Sequence, residues 1–250
     1  MTLTPPFRTP APPFPTSCDR RLVTVARADH HRDMRIAIGL YDRFTSLDAL
    51  GPFQVLSSLP DAEVVFVATK AGPVIDESGF LEVRAHASFD DVPAPEILLV
   101  PGGIITGTLV PDHPIIEWIR RAHRSTTWTT SVCTGALLLA GAGVLDGLEA
   151  TTHWGAMDDL ARLGAKPVHR RVVRSGKVFT AAGVSSGIDM GLTLAAEIAG
   201  EDYARTLQLM LEYDPQPPFD AGSPAKAGDA IVGKAVGAMF ETMQKLASAS

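Results

Sequence analysis

From Arg35 onward the sequence alternates short β-rich runs with segments of helical periodicity, and this alternation constrains the fold more than any other feature. Residues 36–40, 64–69, 97–100 and 128–132 are typical of buried strands. Helical patterns lie between these runs. Strands that alternate with helices predict a mostly parallel sheet with helices on both faces, which is an α/β sandwich built as one domain.

The helical segments differ in how much of their surface is apolar. Residues 48–59 and 113–123 are predicted to be helices covered on one face, whereas residues 188–198 are apolar nearly all round and predict a central, covered helix. A further helix is indicated by an apolar stripe that includes Tyr203 and Leu207. Residues 215–228 form a loop rich in proline and glycine, followed by at most one helix that ends near Leu246.

The N-terminal segment differs in composition from the rest of the chain. Six of its first fifteen residues are proline, and no periodic apolar pattern begins before Arg35. We therefore predict a disordered tail over residues 1–33, an α/β domain over residues 34–228 and a C-terminal helix over residues 229–250.

Composition excludes several classes of function. The formal net charge is −6, and there is no lysine- and arginine-rich run with interleaved aromatics, so we expect no nucleic-acid partner. No apolar run approaches the roughly 18 residues of a membrane span, and no apolar signal segment is found, so we expect a cytoplasmic protein without a membrane partner. The two cysteines, Cys18 and Cys133, are too few for a disulfide framework and indicate a reducing compartment.

Cys133 lies where the β-rich run 128–132 meets an alanine- and leucine-rich helical segment. A strand-to-helix turn of this kind lifts a side chain above the sheet edge and aims the helix N-terminus at it, which lowers the pKa of a thiol. Gly135 supplies the backbone freedom of a tight turn. The alternative interpretation is that Cys133 is a small buried core residue, as most free cysteines are.

Two further segments follow predicted strands on the same side of the sheet. Gly102 and Gly103 end the run 97–100, and their amides are candidates for an oxyanion hole or for a plain turn. Asp48 follows the first strand at the start of a helix, where most aspartates are caps. Since ligands of open parallel sheets bind outside the carboxyl ends of the strands, these segments together predict a site that includes Cys133.

Other candidate motifs are weaker. Residues 183–187 match the G-x-S-x-G pattern of serine hydrolases, but every histidine precedes Ser185, so Ser185 or Ser186 is better explained as a helix cap. His153 lies twenty residues after Cys133 and is either part of the same pocket or structural. His113 and Glu117 lack a third ligand, so no metal site is predicted. No dinucleotide fingerprint is found, and no cofactor is expected.

Four motifs together resemble the ThiJ/PfpI superfamily. They are residues 47–52 (LDALGP), 100–103 (VPGG), 131–136 (SVCTGA) and 150–154 (ATTHW), and the resemblance runs from about Arg35 to about Pro224. Asp at position 48 and Thr at position 134 are most similar to the isonitrile hydratase branch of that superfamily. The Pro-rich tail has no counterpart there, and Thr134 replaces the histidine of peptidase-like members, which argues against peptidase activity.

This resemblance implies a flavodoxin-like sandwich, usually a homodimer, that converts an isonitrile and water to an N-substituted formamide without metal or cofactor. Cys133 would be the nucleophile, Asp48 the acid and base, and Thr134 a third catalytic residue. We expect the substrate to be held by residues from three segments, namely Gly102, Gly103, His153, Trp154 and Ser185.

Two other functions within the superfamily stay open at this point. One is a glyoxalase-like or deglycating enzyme acting on reactive aldehydes through the same thiol, and another is a redox sensor or stress protein that needs only the thiol. Some relatives are transcription regulators with an added helix-turn-helix domain. Only 37 residues follow Tyr213 here, so we expect no such domain.

Overall fold

The computed structural model describes residues 34–248, so the predicted tail over residues 1–33 lies outside the described residues. Its strands, in chain order, are β1 (Met34–Gly39), β2 (Ala62–Ala68), β3 (Gly72–Ile75), β4 (Glu82–Ala85), β5 (Ala87–Ser88), β6 (Ile97–Val100), β7 (Trp128–Val132), β8 (Glu149–Ala150), β9 (Lys166–Pro167), β10 (Val172–Ser175) and β11 (Val178–Ala181). Seven of these form the central sheet in the order β10-β11-β7-β6-β1-β2-β5.

The central sheet is parallel except for β10, which pairs antiparallel with β11. The strands predicted over residues 97–100 and 128–132 are confirmed residue for residue as β6 and β7. Those predicted over residues 36–40 and 64–69 are confirmed as β1 and β2 with bounds shifted by one or two residues. The pattern did not predict the hairpin of β3 and β4 or the edge strand β5, because their exposed residues break the apolar runs.

Residues 34–248 also contain nine α-helices and one 3₁₀ turn. The helices are α1 (Ser46–Leu56), α2 (Thr106–Leu109), α3 (Pro114–His123), α4 (Gly135–Gly141), α5 (Met157–Arg162), α6 (Ser186–Ala199), α7 (Glu201–Met210), α8 (Pro224–Ala227) and α9 (Asp229–Ser248), with the 3₁₀ turn at Trp154–Ala156. Helices α1, α6 and α7 pack together on one side of the sheet, and α2, α3, α4 and α5 on the other. This confirms the predicted α/β sandwich.

Two glycines of α6, Gly187 and Gly191, face α1 where the two helices pack together. A Cβ atom added at Gly187 would lie 3.1 Å from the Pro52 ring, and one at Gly191 would lie 3.1 Å from Cβ of Val55. These short separations let the two helices approach closely under the sheet edge. The approach matters because α1 carries Asp48 and α6 begins just after the turn at Val184.

The carboxyl ends of β1, β6, β7 and β11 lie side by side at one edge of the sheet. Each is followed by a loop or helix that carries a candidate residue, so the topology brings together segments that are distant in sequence. Helix α9 is present where a final helix was predicted, while the loop 215–228 also contains the short α8. Within residues 34–248, no helix is long and apolar enough to cross a membrane.

Candidate active site

Cys133 sits in a sharp turn between β7 and α4. Its backbone φ is 56°, in the left-handed region that non-glycine residues rarely adopt. Its amide donates to the carbonyls of Ala181 (3.1 Å) and Ala182 (2.8 Å), and its carbonyl accepts from the Thr152 hydroxyl at 2.9 Å. Because the backbone is held at both ends, the strained turn persists, as strained residues do at functional sites.

The sulfur of Cys133 is nearly enclosed, with 6% of the residue exposed. The amides of Thr134 and Val184 donate to it, yet burial and the neighbouring Asp48 carboxylate raise the pKa of the thiol above its ordinary value. The expectation of a lowered thiol pKa is therefore wrong, although the two amides do act in the lowering direction. Desolvation of the thiolate and repulsion by a negative carboxylate outweigh two amide donors.

Asp48 lies in the first turn of α1 and is fully buried. It does not cap its own helix. Instead, its Oδ2 accepts a hydrogen bond from the Gly102 amide at 2.9 Å, and its carboxyl also hydrogen-bonds to the Cys133 thiol. Its second oxygen, Oδ1, is buried without a protein partner. An unpaired buried acceptor is unfavourable, so this oxygen is suited to a proton, a water or a substrate.

Burial raises the pKa of Asp48 to about 7, and the negative Glu77 nearby acts in the same direction. The bonds from Gly102 and Cys133 oppose this rise but do not cancel it. Asp48 is therefore partly protonated near neutral pH. A carboxyl with a pKa near the working pH is suited to both donating and accepting a proton.

The Thr134 side chain contacts the loop that follows β6. Its hydroxyl contacts both backbone groups of Gly103, accepting from the amide and donating to the carbonyl, each at 2.9 Å. It also meets the Thr106 hydroxyl at 2.9 Å, which in turn lies 3.2 Å from the Tyr41 hydroxyl. The amides of Gly102 and Gly103 thus hold Asp48 and Thr134. Their predicted contact with substrate stays a prediction.

The structure leaves no room for a side chain at position 102, so this residue must be glycine. An added Cβ would lie 2.6 Å from both the amide nitrogen and the hydroxyl of Thr134, and 2.8 Å from Asp48 Oδ2. We expect Gly102→Ala to displace Asp48, to lower stability by about 1–3 kcal/mol through overpacking, and to reduce activity more than tenfold. Thermal unfolding and steady-state rates measure both effects.

Gly107 provides the control for this substitution, because it is exposed and a Cβ there meets nothing within 4 Å. Gly107→Ala is expected to leave activity unchanged. Equal effects of the two variants would show that Gly102 has no special constraint.

A cleft of about 660 Å³ is lined by residues from the loops around the buried pair, but not by Cys133 or Asp48 themselves. Ala182, Gly183 and Val184 line it, as does Leu47, which precedes Asp48. The rest of its wall is mixed: apolar side chains include Trp154, Met157, Pro217 and Phe219, while polar ones include His153, Arg171, Ser185 and Lys226. The cleft therefore has room for a small organic molecule beside the loop that contains Val184, whose amide donates to the thiol.

The predicted residues His153, Trp154 and Ser185 all line this cleft. His153 Nδ1 accepts from the Gly155 amide at 3.2 Å, so its neutral ring carries the proton on Nε2, and burial lowers its pKa. His153 is thus both structural and part of the cleft wall. Ser185 occupies the N-cap position of α6 without a capping bond from its side chain, and its hydroxyl accepts from Arg171 at 3.2 Å.

The prediction that Ser185 or Ser186 caps this helix is therefore not supported by the side-chain contacts. The Ser186 hydroxyl donates to the Gly183 carbonyl at 2.7 Å, which stabilises the turn before α6. Across residues 34–248 there is no group of three or more His, Cys, Asp or Glu side chains that could hold a metal ion.

A profile of the DJ-1/PfpI family matches residues 34–197, which include β1, the Cys133 turn and most of α6. The chain belongs to the DJ-1/PfpI family. It is 45% identical to an isonitrile hydratase of Pseudomonas putida over 202 residues, which is 81% of this chain and 88% of that protein. It is 26% identical to a deglycase, PfpI, of Pyrococcus furiosus over 145 residues, covering 57% of this chain and 86% of that one.

The fold is shared with solved members of the DJ-1/PfpI family. A crystal structure of a ThiJ/PfpI family protein from Pseudomonas syringae superposes with a TM-score of 0.78 at 34% identity, covering 90% of this chain and 97% of that one. The flavodoxin-like sandwich expected from the sequence motifs is thereby confirmed.

Sequence reasoning missed two groups of this DJ-1/PfpI site. Val184 contributes only its backbone amide, which no residue-type pattern reveals. Thr152 was part of a quoted motif, but its bond to the Cys133 carbonyl depends on the packing of two loops nineteen residues apart.

Proposed function

We propose that this protein hydrates isonitriles to N-substituted formamides, with Cys133 as nucleophile and Asp48 as proton carrier. The observation that carries the proposal is the buried pair itself. A thiol lies in hydrogen-bond contact with a carboxyl whose Oδ1 has no protein partner and whose pKa is raised to about 7. The 45% identity to an isonitrile hydratase supports the same reaction.

The first half-reaction forms a thioimidate. An isonitrile carbon becomes electrophilic when it is protonated, so the carboxyl of Asp48 donates its proton to that carbon while the Cys133 sulfur attacks it. One C–S and one C–H bond form, the formal C≡N bond loses one π bond, and the S–H bond breaks as its proton passes to the Asp48 carboxylate. The amides of Thr134 and Val184 stabilise the negative charge that develops on the sulfur as this proton leaves.

The second half-reaction releases the product. Asp48 donates its proton to the imidate nitrogen and takes a proton from water, whose oxygen attacks the same carbon. The remaining hydroxyl proton moves to the sulfur as the C=O bond forms and the C–S bond breaks. The formamide leaves, and the proton inventory of Cys133 and Asp48 is restored. The overall change is addition of one water to one isonitrile.

The enclosed position of the pair explains why both residues are required. In bulk water a thiol and a carboxyl at neutral pH would be present as thiol and carboxylate. Burial here raises both pKa values, so the pair retains a proton that Asp48 donates. A redox sensor, by contrast, needs an accessible thiol with a low pKa, and Cys133 is 6% exposed with a raised pKa.

The test is incubation of the purified protein with cyclohexyl isonitrile and an aryl isonitrile, with the product identified by mass spectrometry. We expect the corresponding N-substituted formamide, whose mass exceeds that of the isonitrile by one water. Methylglyoxal is tested in parallel for the aldehyde-directed alternative. Turnover of methylglyoxal without formamide production from either isonitrile would overturn the proposal in favour of a glyoxalase-like enzyme.

Homodimer formation and a cytoplasmic location remain predictions. Light scattering of the purified protein measures the first. We further propose that water and the isonitrile are the only partners needed for turnover, with no nucleic acid, membrane or cofactor involved.

A further inference from the structure

A cluster of polar side chains lies at the cleft wall, outside the pair that performs the chemistry. Arg171 precedes β10 and meets Asp189 of α6, with its Nε at 2.7 Å and an Nη at 2.6 Å from Oδ2. The same guanidinium donates to the Ser185 hydroxyl at 3.2 Å. The Tyr213 hydroxyl donates to Asp189 Oδ2 at 3.0 Å. We call Arg171, Asp189 and Tyr213 the brace.

The brace touches both ends of the turn that covers the sulfur. The Arg171 carbonyl accepts from the Ala182 amide at 2.9 Å, and the Ala182 carbonyl accepts from the Cys133 amide at 2.8 Å. At the other end of the turn, the Arg171 side chain binds Ser185. Between these points lies Val184, whose amide donates to the Cys133 sulfur.

The other face of this turn is covered as well. A Cβ at Gly183 would lie 3.2 Å from the His153 ring, so the turn is held between His153 and Arg171. Tyr213 also anchors the segment that leads to Pro217 and Phe219, which line the cleft. One cluster therefore contacts the turn over the sulfur and the start of the outer cleft wall.

We propose that Arg171, Asp189 and Tyr213 are positioning residues, which hold the turn at residues 182–185 so that the Val184 amide points at the Cys133 sulfur. They act through the turn and do not touch the reacting atoms. This inference extends the proposed function, since the sulfur they serve is the proposed nucleophile. It also predicts a property of the thiol that can be measured without any isonitrile.

A contribution to folding stability does not explain why this cluster lies next to the turn. The side chains of Arg171 and Asp189 are 51% and 32% exposed, and ion pairs of this exposure contribute little to stability. A second ion pair, between β10 and α6, serves as a comparison. Arg174 of β10 meets Glu197 of α6 at 2.7 Å, with 45% and 37% exposure, but it has no contact with the turn.

The decisive variant is Asp189→Ala, studied with Cys18 replaced by alanine so that Cys133 is the one reactive thiol. We measure the rate of Cys133 alkylation by iodoacetamide as a function of pH, together with kcat and KM for an isonitrile. Loss of the brace loosens the Val184 amide, so we expect a higher thiol pKa and about tenfold slower alkylation near neutral pH. We also expect kcat to fall about tenfold with a smaller change in KM.

The sign of the alkylation change separates positioning from simple electrostatics. Removing the negative charge of Asp189, while Arg171 stays positive, would stabilise a thiolate and speed alkylation if charge alone mattered. Asp48, which faces the sulfur directly, is unchanged in this variant. Faster or unchanged alkylation in Asp189→Ala would overturn the proposal.

Two further variants complete the experiment. Glu197→Ala removes the matched ion pair and is expected to leave alkylation, kcat and the melting temperature close to those of the parent. Tyr213→Phe removes one hydroxyl and is expected to act in the same direction as Asp189→Ala but less strongly, which covers the case in which Asp189→Ala folds poorly. Equal effects of Glu197→Ala and Asp189→Ala would contradict a positioning role. If the parent makes no formamide, the proposed function fails while the alkylation comparison still tests the brace.

Discussion

Replacing Cys133 with alanine is expected to abolish isonitrile turnover, with a loss of roughly 10⁴-fold or more in kcat/KM. No other side chain offers a nucleophile at this position, because Thr134 is bonded to Gly103 and Thr106, and the Ser185 hydroxyl contacts Arg171. The fold should persist. Alanine is smaller than cysteine, and the strained backbone at φ 56° is held by the same bonds from its amide and carbonyl.

The chain supplies its own control for this loss. Cys18→Ala removes the other cysteine and is expected to retain full turnover. Formamide production is followed by mass spectrometry, and thermal unfolding confirms that both variants fold. A Cys133→Ala variant that still hydrates isonitriles at the wild-type rate would refute the nucleophile assignment.

Replacing Asp48 with asparagine is expected to reduce kcat by about 10²–10⁴-fold, because an amide of the same shape carries no transferable proton. The asparagine carbonyl can still accept the Gly102 bond, so the geometry of the turn is kept. In the proposed mechanism, protonated Asp48 is the acid. Activity should therefore fall as the pH rises through about 7, the raised pKa of Asp48.

The same substitution is expected to raise stability at alkaline pH. The pKa of Asp48 rises from 3.8 to about 7 on folding. The folded state therefore binds more protons than the unfolded state between these values, and stability is lost as the pH rises through that window. The full shift corresponds to roughly 4 kcal/mol. Asparagine cannot ionise, so it avoids this loss, but its buried amide protons lack hydrogen-bond acceptors, which opposes the gain. We therefore expect the free energy of unfolding to rise by about 1–2 kcal/mol at pH 8 and to change little at pH 4.

Denaturant unfolding of both proteins at pH 4 and pH 8 measures this difference. Asp112→Asn is the matched control, since Asp112 is an exposed aspartate in the loop before α3. Asp48→Asn with wild-type turnover would refute the role of Asp48 as proton carrier. A stability difference that is the same at both pH values would instead contradict the raised pKa.

Much of the framework was predictable because it depends on local patterns. The runs 97–100 and 128–132 are short, β-rich and bounded by turn residues, so their strands match the prediction residue for residue. Cys133, Asp48 and the glycines at 102 and 103 were predicted as site residues because each lies in the segment that follows a strand, and parallel strands end at one edge. The hairpin of β3 and β4 escaped prediction because its alternating exposure leaves no continuous apolar run.

The amino-acid sequence alone determined which residues lie at the carboxyl edge of the sheet, because short periodic patterns of side chains predict where the strands end and the helices begin. Only the tertiary structure decided their chemistry. The direction of the pKa shift of the Cys133 thiol depends on how completely loops from distant parts of the chain exclude water, and on the charge of the nearby Asp48. The same holds for the Val184 amide and the brace, since backbone donors and ion pairs between remote residues leave no signature in sequence.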